Sequence, residues 1–224
     1  MDAVIKVGGS LAETPSVLKA LCKELSRIAK KFSVVVVPGG GKFADIVRDF
    51  DKEFAFPAAL SHQLAILAMD QYGLVLSQVI PNACTCNGVE QANRISEEQR
   101  VSIFLPSKMM LKDGAFDASW DVTSDSIAAY VACKVKAPRV LFVTDVDGIF
   151  TRNPKRYPDV KLMSAISLAE LQAFSERTSV DKFLPKFLSK NPLDCYVLNG
   201  HYPKRIKAVL SDQKTICTRI VTSL

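Results

Sequence analysis

The chain has 224 residues, 48% hydrophobic and 23% charged, which suits one compact domain or two closely joined lobes and argues against a mainly disordered chain. Its formal charge of +6 at pH 7 is carried by lysines and arginines spread along the whole chain, with no basic run interleaved with aromatics. This disfavours nucleic-acid binding and leaves a solvated basic surface or a cleft for a small polyanion. No apolar run reaches the roughly 18 to 20 residues of a membrane span, and MDAVIKVGGS lacks a signal-peptide pattern, so a cytoplasmic protein that does not engage membranes is expected.

The first element is the apolar run Ala3 to Val7, read as a strand buried on both faces and ended by Gly8, Gly9 and Ser10. Lys6 interrupts it. A lysine inside an apolar strand either reaches solvent at the strand end or needs an anion to compensate its burial. Residues 15–31 then place Leu18, Leu21, Cys22, Leu25 and Ile28 at helical spacing. A second strand, Val34 to Val37, runs through Pro38 into Gly39, Gly40 and Gly41. Glycine lets backbone N–H groups approach phosphate oxygens, and a helix starting after such a loop adds its positive end, so two such loops predict an extended anionic ligand. Read on through Lys42, Phe43 and Ala44, the second loop fits G-x-G-x-x-A, a dinucleotide pattern. It lacks the strand ending in an acidic residue about 20 positions later. Nor is it a Walker A loop, because Val36 and Phe43 stand where a glycine and a hydroxyl residue are needed.

Residues 57–76 read as a helix that carries His62, either a donor to an anion or an ordinary surface histidine. The polar stretch 82–99 is expected to be a loop or short hairpin, followed by a strand from Val101 to Leu105. Trp120, with Asp117 and Asp121 near it, is expected to pack in the core in preference to presenting an aromatic face to a ligand. Ser124, Asp125 and Ser126 open a helix running to Lys134; the aspartate is either an N-cap or a group that holds lysines in place. After a seam at 135–139, the strand Val140 to Val143 delivers Asp145 and Asp147 into a glycine turn, VTDVDGIF, which suits recognition of a nucleotide or a metal-linked phosphate. A last apolar run spans Tyr196 to Leu198. The six scattered cysteines are expected to be mainly buried free thiols, and Cys84-x-Cys86 lacks the second pair of a zinc site. Strand and helix alternate throughout, so the expected class is α/β with a mainly parallel sheet.

Five phrases in order, IKVGGS, VVPGGGKFAD, TSDSIAAYVA, VTDVDGIFTRNPKRYPDVKL and LPK, resemble the amino acid kinase superfamily, which includes acetylglutamate, uridylate and isopentenyl phosphate kinases. The resemblance implies a three-layer αβα sandwich on one mainly parallel central sheet, with an acceptor-binding lobe over 1–138 and an ATP-binding lobe over 139–224. LSHQLAILAMD, LPSKMML, SWDVTSDS, RTSVDKFLP and YVLNGHYPKRI are similar to a subfamily of methanofuran biosynthesis. That similarity implies an ATP-dependent kinase converting [5-(aminomethyl)furan-3-yl]methyl phosphate to its diphosphate. Uridylate or isopentenyl phosphate is the alternative acceptor, and a nucleotide-binding regulatory protein of the same fold is the non-enzyme alternative.

Carried over by motif, the resemblance implies catalytic roles for Lys6, Asp125 and Lys186, with Lys182 or Lys190 able to replace the last. It implies ATP binding by Gly8, Gly9, Ser10, Thr144, Asp145, Asp147, Gly148, Ile149, Phe150, Asn153, Pro154 and Lys155, although Asn153 stands where the family often has aspartate. Acceptor binding falls to Gly39, Gly40, Gly41, His62 and Ser124. Magnesium would be held mainly through the ATP phosphates and not by protein side chains, and a homodimer or an assembly of dimers is implied. Direct phosphoryl transfer then rests on positioning and charge neutralisation. An acceptor phosphate already ionised at neutral pH needs no general base.

Overall fold

In the computed structural model, which describes residues 1–154, 156–157, 159–174 and 178–222, the buried apolar runs become the centre of one sheet. In chain order the elements are β1 (Ala3–Val7), a short 3-10 helix (Gly9–Glu13), α1 (Pro15–Ile28), β2 (Val34–Pro38), α2 (Gly41–Phe54), α3 (Ala58–Val79), β3 (Ala83–Cys86), α4 (Val89–Glu97), β4 (Val101–Phe104), α5 (Ser107–Asp113) and α6 (Ser124–Lys134). There follow β5 (Arg139–Thr144), β6 (Ala165–Ser167), α7 (Leu168–Ala173), α8 (Leu184–Lys190), β7 (Asp194–Asn199), α9 (Lys204–Leu210) and β8 (Thr218–Val221). The strand order is β3-β4-β2-β1-β5-β7-β8-β6, and every neighbouring pair is parallel except β7 with β8.

Alternation along the strands builds two cores, one on each face of the sheet. Ile5, Val7, Val34, Val36, Leu141 and Val143 pack under Leu21 and Leu25 of α1 and Ile206 of α9. Val4, Val35, Val37, Val140 and Phe142 pack under Ile127 and Val131 of α6 and Leu184 and Leu188 of α8. This is a three-layer αβα sandwich. Lys6 shares its strand face with Val4, and so points toward α6. The chain builds outward from β1 on one side through β2, then crosses to β5 on the other, so the sheet order reverses at β1. A crevice outside the carboxyl ends of β1, β2 and β5 follows from that reversal.

Several elements depart from expectation. Residues 82–99 form strand β3 and helix α4, not a loop or hairpin. β3 is an edge strand, ACTC, partly exposed and without the unbroken apolar run of a central strand. β6 and β8 were not expected: the first has three residues, and the second, TRIV, alternates buried and exposed positions. The first glycine loop leads into a 3-10 helix and only then into α1. All six cysteines are free; Cys22, Cys86 and Cys195 are buried and the other three half-buried. Among the described residues no helix is long and apolar enough to cross a membrane.

Candidate active site

Both glycine loops leave the sheet side by side, and their first constraint is each other. A Cβ on Gly9 would lie 2.2 Å from the Cα of Gly41, and one on Gly39 would lie 2.9 Å from the Gly9 nitrogen. Gly41, at φ +54°, adopts a left-handed conformation costly to other residues. Two of the amides are committed to the sheet: Gly8 N–H donates to the Val143 carbonyl and Gly39 N–H to the Val7 carbonyl, both at 2.8 Å. The glycines therefore bring two backbones into contact, and the loops line a cleft of about 970 Å³ at the carboxyl end of the sheet.

Lys6 is on the floor of that cleft, 8% exposed, with Nζ 2.8 Å from Asp125 Oδ1. Asp125, 2% exposed, sits in the first turn of α6, and its Oδ2 accepts the Asp181 backbone N–H at 3.1 Å. The ion pair answers the anomaly of a lysine inside an apolar strand. A third buried charge, Asp181, was not singled out from the sequence. Its Oδ2 accepts the N–H groups of Thr123 and Ser126, each at 2.9 Å, and the Thr123 hydroxyl at 3.1 Å. Its Oδ1 accepts the Ser126 hydroxyl at 2.6 Å and the Leu184 N–H at 2.9 Å. Burial, and then the neighbouring Asp125 charge, push its carboxyl up to about 6.

The turn after β5 divides its residues between the cleft and the scaffold. Thr144, Asp145, Phe150, Asn153 and Pro154 line the cleft. Asp147 does not: it is ion-paired with Arg205 of α9 and accepts from Asn199 Nδ2 at 3.1 Å. Gly148 and Ile149 pack against β8, where a Cβ on Gly148 would lie 2.3 Å from Thr218 Oγ1 and the Ile149 N–H donates to that hydroxyl at 2.8 Å. Lys155 falls outside the described residues.

At the other end of the cleft are Gly40, Gly41, His62 and Ser124, together with Lys42, Asp45, Arg48 and Trp120, which the sequence reading did not assign there. Burial holds the His62 imidazole below its ordinary value, so the ring is neutral at pH 7 and offers one N–H donor. Trp120 is a cleft wall at 36% exposure, not core packing. Its indole N–H donates to Asp51 Oδ2 at 2.7 Å, Ser61 holds the other Asp51 oxygen at 2.6 Å, and the Arg48 guanidinium lies 5.0 Å over the ring. The hydrogen bond explains the departure, because an indole with a polar partner at the surface gains nothing from the core. Lys182, Lys186 and Lys190 are exposed and none lines the cleft; the Lys186 ammonium lies 5.5 Å from the Phe183 ring centroid. Among the described residues no group of three or more His, Cys, Asp or Glu side chains is placed to hold a metal ion.

A family model described as the amino acid kinase family matches residues 1–189. Over 219 residues the chain is 35% identical to a [5-(aminomethyl)furan-3-yl]methyl phosphate kinase of Methanocaldococcus jannaschii, covering 97% of each chain. It is 25% identical over 218 residues to an acetylglutamate kinase of Endomicrobium trichonymphae, covering 82% of this chain and 84% of that one. The crystal structure of uridylate kinase from Archaeoglobus fulgidus shares the fold, with a TM-score of 0.75 at 22% identity over 99% of this chain and 100% of the other.

Proposed function

Because the chain belongs to the amino acid kinase family and is a kinase, we propose that it transfers the γ-phosphoryl group of ATP to the phosphate of [5-(aminomethyl)furan-3-yl]methyl phosphate, giving the diphosphate and ADP. The observation that carries this reading is the Lys6 ammonium, fixed by Asp125 on the floor of a cleft flanked by two glycine loops. A fixed cation there neutralises charge on the phosphoryl oxygens as they pass from one oxygen to the other, and it does so without reorganisation during the step. Residues 139–224 form the ATP lobe, with Thr144, Asp145, Phe150, Asn153 and Pro154 at the nucleotide end and Gly9 and Ser10 along its phosphates. Residues 1–138 form the acceptor lobe, in which the Gly40 and Gly41 amides, Ser124 and neutral His62 donate to the acceptor phosphate. Lys42 lines this end and is better placed than Lys186, which does not, to supply a second positive charge; Arg48 also lines it but is paired with Asp45 at 2.6 Å. Magnesium would arrive on the ATP phosphates and add charge neutralisation.

The acceptor assignment rests on the 35% identity to the M. jannaschii enzyme across nearly the whole of both chains. Trp120 provides an aromatic wall for the furan, with the Arg48 guanidinium 5.0 Å over its ring and ion-paired with Asp45 at 2.6 Å. The protein works as a homodimer or an assembly of dimers. Support comes from exposed Ile46, Phe50 and Phe54 on α2 and Leu60, Leu67 and Leu74 on α3, an apolar surface suited to a two-fold partner. The test is to incubate the protein with Mg-ATP and, separately, the aminomethylfuran phosphate, UMP and isopentenyl phosphate, and to follow ADP and the diphosphate by mass. Turnover of the furan alone is expected. Turnover of UMP or isopentenyl phosphate in its place would keep the transfer site and overturn the acceptor.

A further inference from the structure

We propose that Asp181 is a positioning residue for phosphoryl transfer, holding Asp125 and through it the Lys6 ammonium in register with the nucleotide turn. The inference rests on the reading of Lys6 as the transfer cation. Asp181 lies on the loop that enters α8, 2% exposed, and it is hydrogen-bonded to the start of α6, to Asp125 and to the start of α8. Its carboxylate takes two donors from backbone and one from the hydroxyl of the residues around the α6 start, Thr123 and Ser126, on one oxygen. The other oxygen takes the Ser126 hydroxyl and the Leu184 N–H of α8. Its own N–H donates to the Asp125 oxygen that does not face Lys6. Two residues earlier, Ser179 donates its hydroxyl to the Gly148 carbonyl at 2.8 Å, and Thr178 and Ser179 line the cleft. One short loop therefore joins the nucleotide turn to the Asp125–Lys6 pair, hydrogen-bonded to the first through Ser179 and to the second through Asp181.

A helix cap alone does not account for this arrangement. Thr123 occupies the N-cap position of α6 and makes no side-chain cap bond; its hydroxyl donates to Asp181 instead. The fold thus gives up a local, inexpensive cap in favour of a carboxylate brought from 58 residues away and buried beside a second carboxylate. What the remote group adds is direction: five donors fix its orientation, and the backbone it anchors fixes Asp125.

The test compares Asp181→Asn, Asp125→Asn and the double variant by steady-state kinetics with Mg-ATP and the accepted phosphate. An Asn has the size of Asp but must turn an NH2 toward donors on one side. We expect kcat to fall on the order of tenfold to a hundredfold, the cost of a small misplacement at a reacting centre, with both KM values and the circular dichroism spectrum unchanged. In the Asp125→Asn background the same substitution should add little, because it acts through Asp125. Unchanged kcat, or losses that multiply in full in the double variant, would overturn the proposal. Should Asp181→Asn fail to fold, Ser126→Ala removes one donor and leaves the carboxylate; a several-fold drop in kcat at constant KM is expected, and wild-type kcat would count against the proposal. Lys6→Met retaining wild-type turnover is a separate outcome, one that removes the transfer site itself.

Discussion

Lys6 was legible as an anomaly because the reason is local: a charge inside VIKV has few structural explanations. Removing it should separate catalysis from folding. Lys6→Met is expected to lower kcat by roughly 10² to 10³, the loss seen when one fixed charge-stabilising group is removed. It also leaves Asp125 buried without its cation, which costs about 3 kcal/mol or more of stability by chemical denaturation. Adding Asp125→Asn should restore much of that stability and none of the activity. If the double variant is no more stable than the single, the pair is not the electrostatic unit its 2.8 Å contact implies. Asp181 was not legible to the same degree, because most of its donors lie 55 to 58 residues away in the chain. The one local clue is a D-x-x-L-P pattern, in which Asp181 accepts the Leu184 N–H three residues on, just before Pro185. Its carboxyl titrates near 6, above the ordinary value near 4, so the folded state holds this proton more tightly than the unfolded chain. Stability from this group is therefore present below pH 4 and is lost as pH rises through 6, by an amount on the order of 2 to 3 kcal/mol. In denaturant titrations between pH 4 and 7 the wild type should lose more stability than Asp181→Asn by about that amount, the slopes from raised Asp70 and lowered His62 being common to both. Parallel curves would remove the raised carboxyl from the account.

Among the elements, the legible ones are those whose character is written in consecutive residues. β1, β2, β4, β5 and β7 are apolar because both faces are covered, and α1 and α3 carry helical spacing. β3, β6 and β8 escape because an edge or short strand needs only a neighbour's ladder, and its side chains are free to be polar or alternating. The glycine loops lie between these cases. Their glycines pointed to a close approach, and the sequence could not say that the first thing approached is the other loop. That geometry makes a test. Gly9→Ala forces a Cβ to within 2.2 Å of the Gly41 Cα, backbone against backbone with no flexible side chain to yield. Overpacking of this kind should cost about 1 to 3 kcal/mol and, by separating the β1 and β2 loops at the proposed transfer site, reduce turnover as well. Gly88→Ala is the steric control, since its Cβ would meet only the Glu90 carboxylate at 3.9 Å; as the N-cap of α4 it should lose about 1 kcal/mol or less and keep wild-type turnover. Wild-type turnover in Gly9→Ala would mean that loop contact is not what the glycines serve.

At the scale of the molecule, the reversal of strand order at β1 gathers the site. It sets the carboxyl ends of β1, β2 and β5 side by side, so that Lys6, both glycine loops and the β5 turn open into one cleft although Lys6 and Pro154 are 148 positions apart in the chain. The motifs pointed to that gathering only through their order and resemblance; the contacts themselves are tertiary. The same architecture leaves α2 with two tasks. Its amino end begins at Gly41 in the cleft, while Ile46, Phe50 and Phe54 run along it in steps of four residues and stay about half exposed, at 53%, 49% and 57%. The Phe50 and Phe54 rings stack with centroids 6.0 Å apart, and exposed Leu60, Leu67 and Leu74 recur every seven residues on α3, which packs beside α2. Burying such a surface in a two-fold contact would stabilise each half-exposed apolar side chain by roughly 1 kcal/mol. Sedimentation of the wild-type chain should therefore give a dimer or a multiple of one, and Phe50→Asp with Leu67→Asp should give a monomer. Because α2 also carries the second glycine loop, the monomer should bind the acceptor more weakly while ATP binding, proposed for the far end of the cleft, changes little. A wild-type chain that sediments as a monomer would leave this face without the partner proposed for it, and a monomeric variant with unchanged acceptor KM would break the link between α2's outer face and its inner end.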